Sequence, residues 1–277
     1  MTRVLIRRAL TVVVLSVLVA TTASADIILR DRPLYLVGDD AFPPFSFETD
    51  GRLEGIDCDI IREMARRMGV SVTIELVPWR RLIELIRTGG CDGGFSLFST
   101  PERRRVAWFA DGTPIHESTF YLYIRPERTF PFESLDDLDG RTIGINRGFF
   151  ISRDFDRAVA GGRFSLEAVE GVAVNLRKLA AGRIDGFVAN ADVVSYYQRN
   201  HPAGPVPVVA LPRPVVDRRG AYLVLSRAGP VADPEGMIRR IEAALAAMVA
   251  DGTRDRIIRR YLPDEADASL TEPTDSK

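Results

Sequence analysis

Short apolar strands alternate with amphipathic helices in the first half of the chain, and this order constrains the fold more than any other feature. β-branched or alternating segments favour strands, and apolar residues three or four apart favour helices. Strands are predicted at 34–38, 72–77 and 91–97, and helices at 59–68 and 79–87. Strands joined by helices form a parallel sheet with helices on its faces. The first half therefore predicts an α/β unit.

A second unit of the same kind follows. Strands at 142–146 and 184–188 enclose a helix at 172–181. The segments that enter the last strand of each unit are similar, GCDGGF at 90–95 and RIDGF at 183–187. A similar segment at the same structural point in each half indicates two α/β lobes. The C-terminal part of the chain adds further apolar faces that must also be buried. It is predicted to contain a strand at 222–226 and amphipathic helices at 234–250 and 253–261.

The N-terminus has the pattern of a secretory signal sequence. Arg3, Arg7 and Arg8 precede an apolar run at 9–20, and Ala23-Ser24-Ala25 forms a small-residue cleavage site. The run is shorter than the ~20 residues that span a bilayer, which disfavours the alternative of an uncleaved anchor. Residues 1–25 are therefore predicted to be a cleaved signal peptide. We expect a periplasmic monomer without a membrane anchor, ending in a disordered acidic tail at 265–277.

Charge and cysteine content exclude several classes of function. The formal net charge is -1, and loss of three signal-peptide arginines makes it -4 (-1 - 3), with basic residues scattered along the chain. This pattern argues against nucleic acid as a partner. Cys58 and Cys91 are predicted at opposite ends of the sheet and hence unpaired. The two histidines, His116 and His201, lack metal-ligand spacing, so neither a metal nor a cofactor is expected.

Seven segments in register make the chain resemble the family 3 bacterial extracellular solute-binding proteins, the periplasmic components of ABC importers for polar amino acids and related molecules. They are VGDDAFPPFSF at 37–47, GIDCDI at 55–60, WRRLIELIRTG at 79–89, STPER at 99–103, DGRTIGI at 139–145, GRID at 182–185 and DGT at 251–253.

The resemblance implies a two-lobed periplasmic-binding-protein fold of type II, with each lobe a mixed or parallel sheet flanked by helices. Two hinge crossovers, placed near 118–123 and 217–222, would join the lobes. Lobe 1 would comprise 26–120 and 220–264, and lobe 2 would comprise 121–219. The implied function is capture of a small solute by closure of the lobes, followed by delivery to an inner-membrane ABC permease.

Five candidate ligand residues follow from position in this pattern. Arg103, near the start of a short helix capped by Thr100 or Ser99, matches the family's carboxylate-binding arginine, and a guanidinium can grip a carboxylate through two hydrogen bonds. The alternative interpretation of Arg103 is a surface residue that forms an ion pair with Glu102 or Asp92. Trp79 and Phe42 would form apolar walls, Asp39 would accept a hydrogen bond at a strand end, and Ser96 would offer its backbone or hydroxyl group.

Three positions depart from the amino-acid binders of the family. Phe98 replaces a Ser or Thr, Phe149 follows Gly148 where a Thr is usual, and Asn190 replaces the Asp that pairs with the α-ammonium. A buried ammonium needs a carboxylate partner, so an α-amino acid is expected only if Asp39 or Asp192 substitutes. The added rings predict a carboxylate-bearing ligand that is less polar or aromatic.

Two other functions stay open on this fold. An exported dehydratase-like enzyme would need a cleft carboxyl with a raised pKa, for which Asp39 and Glu117 are the candidates. A ligand-sensing module is disfavoured, since neither a transmembrane helix nor a kinase domain follows. Asp57 and Asp59 are predicted to be helix caps and not an acid/base pair. We therefore expect a binder and not an enzyme.

Overall fold

The computed structural model describes residues 32–200 and 204–262. The predicted signal peptide, the predicted acidic tail and His201 lie outside these ranges. Within the two ranges, no helix is both long enough and apolar enough to cross a bilayer.

Twelve strands and eight α-helices make up the described part of the chain. The strands are β1 (Leu34–Asp39), β2 (Phe47–Thr49), β3 (Arg52–Glu54), β4 (Val72–Val77), β5 (Gly93–Phe98), β6 (Ala107–Phe109), β7 (His116–Ile124), β8 (Thr142–Asn146), β9 (Ser165–Val169), β10 (Gly186–Asn190), β11 (Val209–Ala210) and β12 (Val216–Ser226). The helices are α1 (Ile56–Met68), α2 (Trp79–Thr88), α3 (Pro101–Arg104), α4 (Arg153–Ala160), α5 (Val172–Ala180), α6 (Ala191–Arg199), α7 (Pro234–Ala250) and α8 (Thr253–Tyr261).

Two long strands join the two lobes in one curled sheet. The strand order is β4-β1-β5-β12-β7-β10-β8-β9, with β6 paired to β12 and β11 paired to β7. β1 pairs in parallel with β4 and β5, and β8 pairs in parallel with β9 and β10. Between these sets, β12 and β7 run antiparallel to each other and to their outer neighbours. The predicted crossovers fall within β7 and β12. The two-lobed fold is confirmed, whereas the residue boundaries of the lobes stay a prediction.

The similar segments of the two halves, at 90–95 and 183–187, have the same structural role. The Asp92 carboxylate accepts the backbone N–H of Tyr35 at 2.7 Å, and the Asp185 carboxylate accepts that of Thr142 at 2.8 Å. Each aspartate thus fastens the start of β1 or β8 to the segment that enters the adjacent strand. β5 and β10 consequently begin just after these aspartates, two residues later than predicted.

Glycine ends the first two helices as predicted. Gly69 follows α1 and Gly89 follows α2, both in the left-handed conformation that favours glycine. α1 begins at Ile56, three residues before its predicted start. α7 and α8 have the predicted bounds.

The C-terminal helices complete the core of the first lobe. α7 and α8 pack against α1 and against each other. Ile241, Leu245 and Met248 on α7 are almost fully buried, as the amphipathic pattern predicts. Cys58 and Cys91 are both buried and unbridged, which confirms that prediction.

Candidate functional site

One pocket between the lobes collects seven of the eight residues predicted to touch a ligand. The seven are Asp39, Phe42, Trp79, Ser96, Phe98, Arg103 and Phe149. Three further residues complete its lining, His116, Phe120 and Phe150. Six of the ten side chains are aromatic, so the pocket is a mainly apolar chamber with a few polar groups. Its free volume is about 20 Å³, room for little more than one water molecule.

The sheet explains why these residues meet. Asp39 is the last residue of β1, and Ser96 and Phe98 lie near the end of β5, its parallel neighbour. Trp79 opens α2 directly after β4 and Pro78. Ligand sites of open α/β sheets lie at the carboxyl ends of the strands, and the pocket has this position. Ser96 has a left-handed φ of 67°, which is uncommon for a residue with a side chain.

Arg103 carries the positive charge of the pocket. Its backbone N–H donates to Thr100 Oγ1 at 3.2 Å, so Thr100 caps α3. Its guanidinium donates to the Phe98 carbonyl at 3.1 Å and lies 5.1 Å from the centre of the Trp79 ring. Burial, reinforced by the charge of Arg219, lowers the pKa of Arg103 to about 10. The group stays protonated at neutral pH.

The two acids considered as partners of Arg103 lie next to other arginines. The Asp92 carboxylate accepts hydrogen bonds from both terminal nitrogens of Arg32, at 2.6 and 2.8 Å. Glu102 lies 4.0 Å from Arg153. Within 32–200 and 204–262 no carboxylate forms an ion pair with Arg103. An anion that enters the pocket therefore meets a guanidinium that is not engaged in an ion pair with any described carboxylate.

Phe149 joins the two lobes across the pocket. Its ring centre lies 5.3 Å from that of Trp79 and 6.0 Å from that of Phe42, both in edge-on geometry. Beside this contact, Trp79 Nε1 donates to the Gly148 carbonyl at 3.0 Å. The aromatic pair and the hydrogen bond act together to hold the segment after β8 against the first lobe.

Asp39 is the buried acid of the pocket, with 4% of its surface exposed. Its Oδ1 accepts the backbone N–H of Ala41 at 3.2 Å. Burial raises the pKa of Asp39 to about 7, and the negative charges of Asp40 and Glu170 act in the same direction. Near neutral pH this carboxyl is able to accept or to donate a hydrogen bond.

Asn190, the eighth predicted residue, is not brought to the pocket. It is 1% exposed, and its Oδ1 accepts the backbone N–H groups of Asp192 and Val193 at 2.8 and 3.1 Å. Its Nδ2 donates to Ser118 Oγ at 2.9 Å. The amide therefore caps α6 and ties it to β7.

The assignment of Asp57 and Asp59 to helix capping is wrong. α1 begins after Gly55 without a side-chain cap. Asp59 instead forms ion pairs on the surface. Asp57 is fully buried, where it bonds His116 and the hydroxyl of Ser96. Sequence reasoning missed His116 as a pocket residue because it tested the histidines only for metal-ligand spacing.

The pocket residues do not form a metal centre. Across the described ranges, no group of three or more His, Cys, Asp or Glu side chains is arranged to hold a metal ion. The polar groups of the pocket are instead one guanidinium, one carboxyl, one imidazole and one hydroxyl. This set is suited to hydrogen bonding with a small organic ion.

Fold and pocket together define a two-lobed protein with a pocket between its lobes. Residues 34–264 match the model of the bacterial extracellular solute-binding proteins, family 3. The chain belongs to this family.

Its relatives include proteins named for amino-acid binding. A probable histidine-binding protein of Neisseria gonorrhoeae is 25% identical over 84% of each chain. The ABC transporter arginine-binding protein 1 of Escherichia coli strain K12 is 23% identical over 80% of this chain and 87% of its own. Among solved structures, an ancestral arginine-binding protein bound to arginine aligns with a TM-score of 0.70 and 22% identity, over 83% of this chain and 97% of that one. A solute-binding role is supported by these relatives.

Proposed function

We propose that the protein is the periplasmic solute-binding component of an ABC importer and captures a small carboxylate-bearing solute with an apolar or aromatic body. The observation that carries this proposal is Arg103, a partly buried cation that forms no ion pair with a carboxylate of the described residues. It lies in a chamber lined mostly by aromatic rings. Family membership and the printed names of the relatives support the transport role.

The binding geometry follows from these groups. Arg103 forms two parallel hydrogen bonds to the solute carboxylate. Trp79 and Phe42 pack against the body of the solute, which loses its contact with water. Phe149 approaches from the other lobe and covers it.

Capture requires the lobes to move. A free volume of about 20 Å³ is too small for an amino acid or an aromatic acid, so the solute enters when the lobes separate along β7 and β12. The solute then favours the closed form because only that form contacts it from both lobes. The proposed lobes are 26–120 with 220–264, and 121–219. The closed form of the exported monomer docks on an inner-membrane permease.

A thermal-melting screen tests the binding step. Residues 26–277 are purified, extensively dialysed and melted with amino acids, aliphatic carboxylates, aromatic acids, polyamines and sugars. A ligand at 100 times its dissociation constant adds about 2.7 kcal/mol to the free energy of unfolding. We expect shifts from one class of carboxylate and none from polyamines or sugars.

The neighbouring arginine supplies a matched control. Arg103→Ala removes the pocket cation and should abolish the shift. Arg104→Ala removes an exposed arginine that pairs with Asp111 at 2.7 Å on the surface, and should leave the shift intact. A shift that survives Arg103→Ala would overturn the proposed carboxylate site.

A dehydratase-like activity is the second candidate, because the pocket holds a carboxyl with a pKa of about 7. Asp39 has this property of a general acid. Glu117, the other acid considered, is exposed and pairs with Arg218 at 2.7 Å outside the pocket. Incubation of each bound carboxylate with the protein, followed by mass spectrometry, separates the two functions. A binder returns the solute unchanged, and an enzyme converts it unless Asp39 is replaced by Asn.

A further inference from the structure

A buried hydrogen-bonded chain runs from β5 through α1 to β7 and ends at the pocket. Asp57 Oδ1 lies 2.8 Å from His116 Nδ1, and Asp57 Oδ2 accepts the hydroxyl of Ser96. The exposed fractions are 0% for Asp57, 4% for His116 and 8% for Ser96. A carboxylate only accepts hydrogen bonds, so the proton of the His116 ring is assigned to Nδ1. An imidazole that carries its proton on Nδ1 has a lone pair at Nε2.

The Nε2 lone pair accepts no hydrogen bond from the described residues. Nε2 is shielded from solvent and has no hydrogen-bond partner within the described ranges. A buried polar atom left unpaired costs about 1–3 kcal/mol and calls for an explanation. Rotation of the ring does not relieve the cost, since Nδ1 is tied to Asp57 and the ring is stacked on Phe45 at 4.0 Å between centres. The imidazole is therefore held in one orientation.

The position of the ring supplies the explanation. His116 lines the same pocket as Arg103 and Asp39. Ser96 also lines it, but its hydroxyl hydrogen is committed to Asp57. The pocket therefore pairs a donor, the guanidinium, with His116 Nε2, an acceptor that has no other partner among the described residues. A solute that satisfies both ends has an acceptor at one end and a donor at the other.

We propose that His116 is a ligand-binding residue whose Nε2 accepts a hydrogen bond from an N–H or O–H group of the solute that Arg103 holds. The solute is then a carboxylic acid that also bears an amino or hydroxyl group. Asp57 is a positioning residue that holds the ring and its tautomer. This inference rests on the proposed function and adds to it the donor group of the solute.

Matched acids test the donor group. Each set shares a carboxylate and a body but carries hydrogen, hydroxyl or ammonium at carbon 2. The sets are propanoate, lactate and alanine, and 3-phenylpropanoate, phenyllactate and phenylalanine. Calorimetry on residues 26–277 should give at least tenfold tighter binding for the hydroxy or amino member of a set than for the member with hydrogen.

His116→Phe should erase this preference. It keeps a flat ring to stack on Phe45 and removes both nitrogens. We expect the three members of a set to bind within threefold of one another, because the variant has no acceptor for the hydroxyl or amino group. The hydroxy and amino members distinguish the two kinds of donor in the wild-type protein.

The outcomes separate this inference from the function on which it rests. If no acid binds, or if Arg103→Ala leaves binding unchanged, the proposed function is overturned and this inference falls with it. If binding requires Arg103 but His116→Phe retains the tenfold preference, only the role of His116 is overturned.

A spectroscopic measurement keeps the inference testable if His116→Phe does not fold. The chain has only two histidines, so ¹⁵N-histidine spectra of the wild-type protein contain two rings, and His201→Gln assigns them. The expected result is a neutral ring with its proton on Nδ1, whose bare Nε2 signal moves with a hydroxy or amino acid and not with the matched acid that lacks the donor. A ring protonated on Nε2 in the complex, or an Nε2 signal that ignores the donor, would overturn the proposal.

Discussion

Phe149→Ala should open the ligand-free protein, because this side chain makes the aromatic contact between the lobes. Its edge-on pairs with Trp79 and Phe42, at 5.3 and 6.0 Å, each contribute about 0.5–1.5 kcal/mol. Their loss disfavours the closed form by about 1–3 kcal/mol. Every 1.4 kcal/mol is a factor of ten, so the ratio of closed to open molecules should fall about 5- to 150-fold. The hydrogen bond from Trp79 to Gly148 is weakened as well once the segment is free to separate.

Small-angle X-ray scattering and tryptophan fluorescence measure this opening. The chain has two tryptophans, and Trp108→Phe leaves Trp79 as the only emitter. In that background Phe149→Ala should increase the radius of gyration and shift the Trp79 emission to longer wavelength as the ring meets water. Phe130→Ala, at a ring that stacks on Arg141 away from the pocket, is the control. If Phe149→Ala and Phe130→Ala give the same scattering and emission, the aromatic contact does not hold the lobes together.

Three further predictions concern stability and reactivity. The pKa of Asp39 is about 7 in the folded protein and near 3.9 in the unfolded chain. The contribution of Asp39 to stability is therefore fully present below pH 4 and is lost as the pH rises through 7. The loss reaches ~4 kcal/mol, at 1.36 kcal/mol for each unit of pKa difference. Urea unfolding between pH 4.5 and 8.5 should show this loss relative to Asp39→Asn, and parallel curves would contradict it. Burial raises the pKa values of Cys58 and Cys91 to about 12, so a thiol reagent at pH 8 should modify neither until urea unfolds the protein. Asp92→Asn should cost about 2–4 kcal/mol of unfolding free energy, because it disrupts an ion pair whose carboxylate is fully buried, and the exposed Asp185→Asn only about 1 kcal/mol. Equal losses would show that burial does not set the difference.

Local signals in the sequence located part of the fold. Glycine stops and apolar periods located α1, α2, α5, α7 and α8, because both act within a few residues, whereas α4 and α6 were not predicted. The starts of β5 and β10 were misplaced because Asp92 and Asp185 use their carboxylates to fasten neighbouring strands, a contact that no local pattern encodes. The antiparallel pairing of β7 with β12 joins residues about one hundred positions apart. The sequence analysis predicted only the two crossovers, from the resemblance, and not their pairing.

The same limit explains which parts of the site were missed. Arg103 and Trp79 stand in recognisable motifs, whereas the chain from Ser96 through Asp57 to His116 spans sequence separations of 39 and 59 residues. An acid in the first turn of a helix predicts a cap, and only the packing of α1 against β5 and β7 gives Asp57 a different role.

This packing also changes what the missing aspartate at position 190 implies. The sequence argument treated Asn190 as the group that would face an ammonium ion, but the structure commits its amide to α6 and Ser118. Asp39 and His116 line the pocket instead, and His116 Nε2 has no hydrogen-bond partner among the described residues. Under the proposed function, an amino group of the solute would therefore meet the acceptors that line the pocket and not the side chain at position 190.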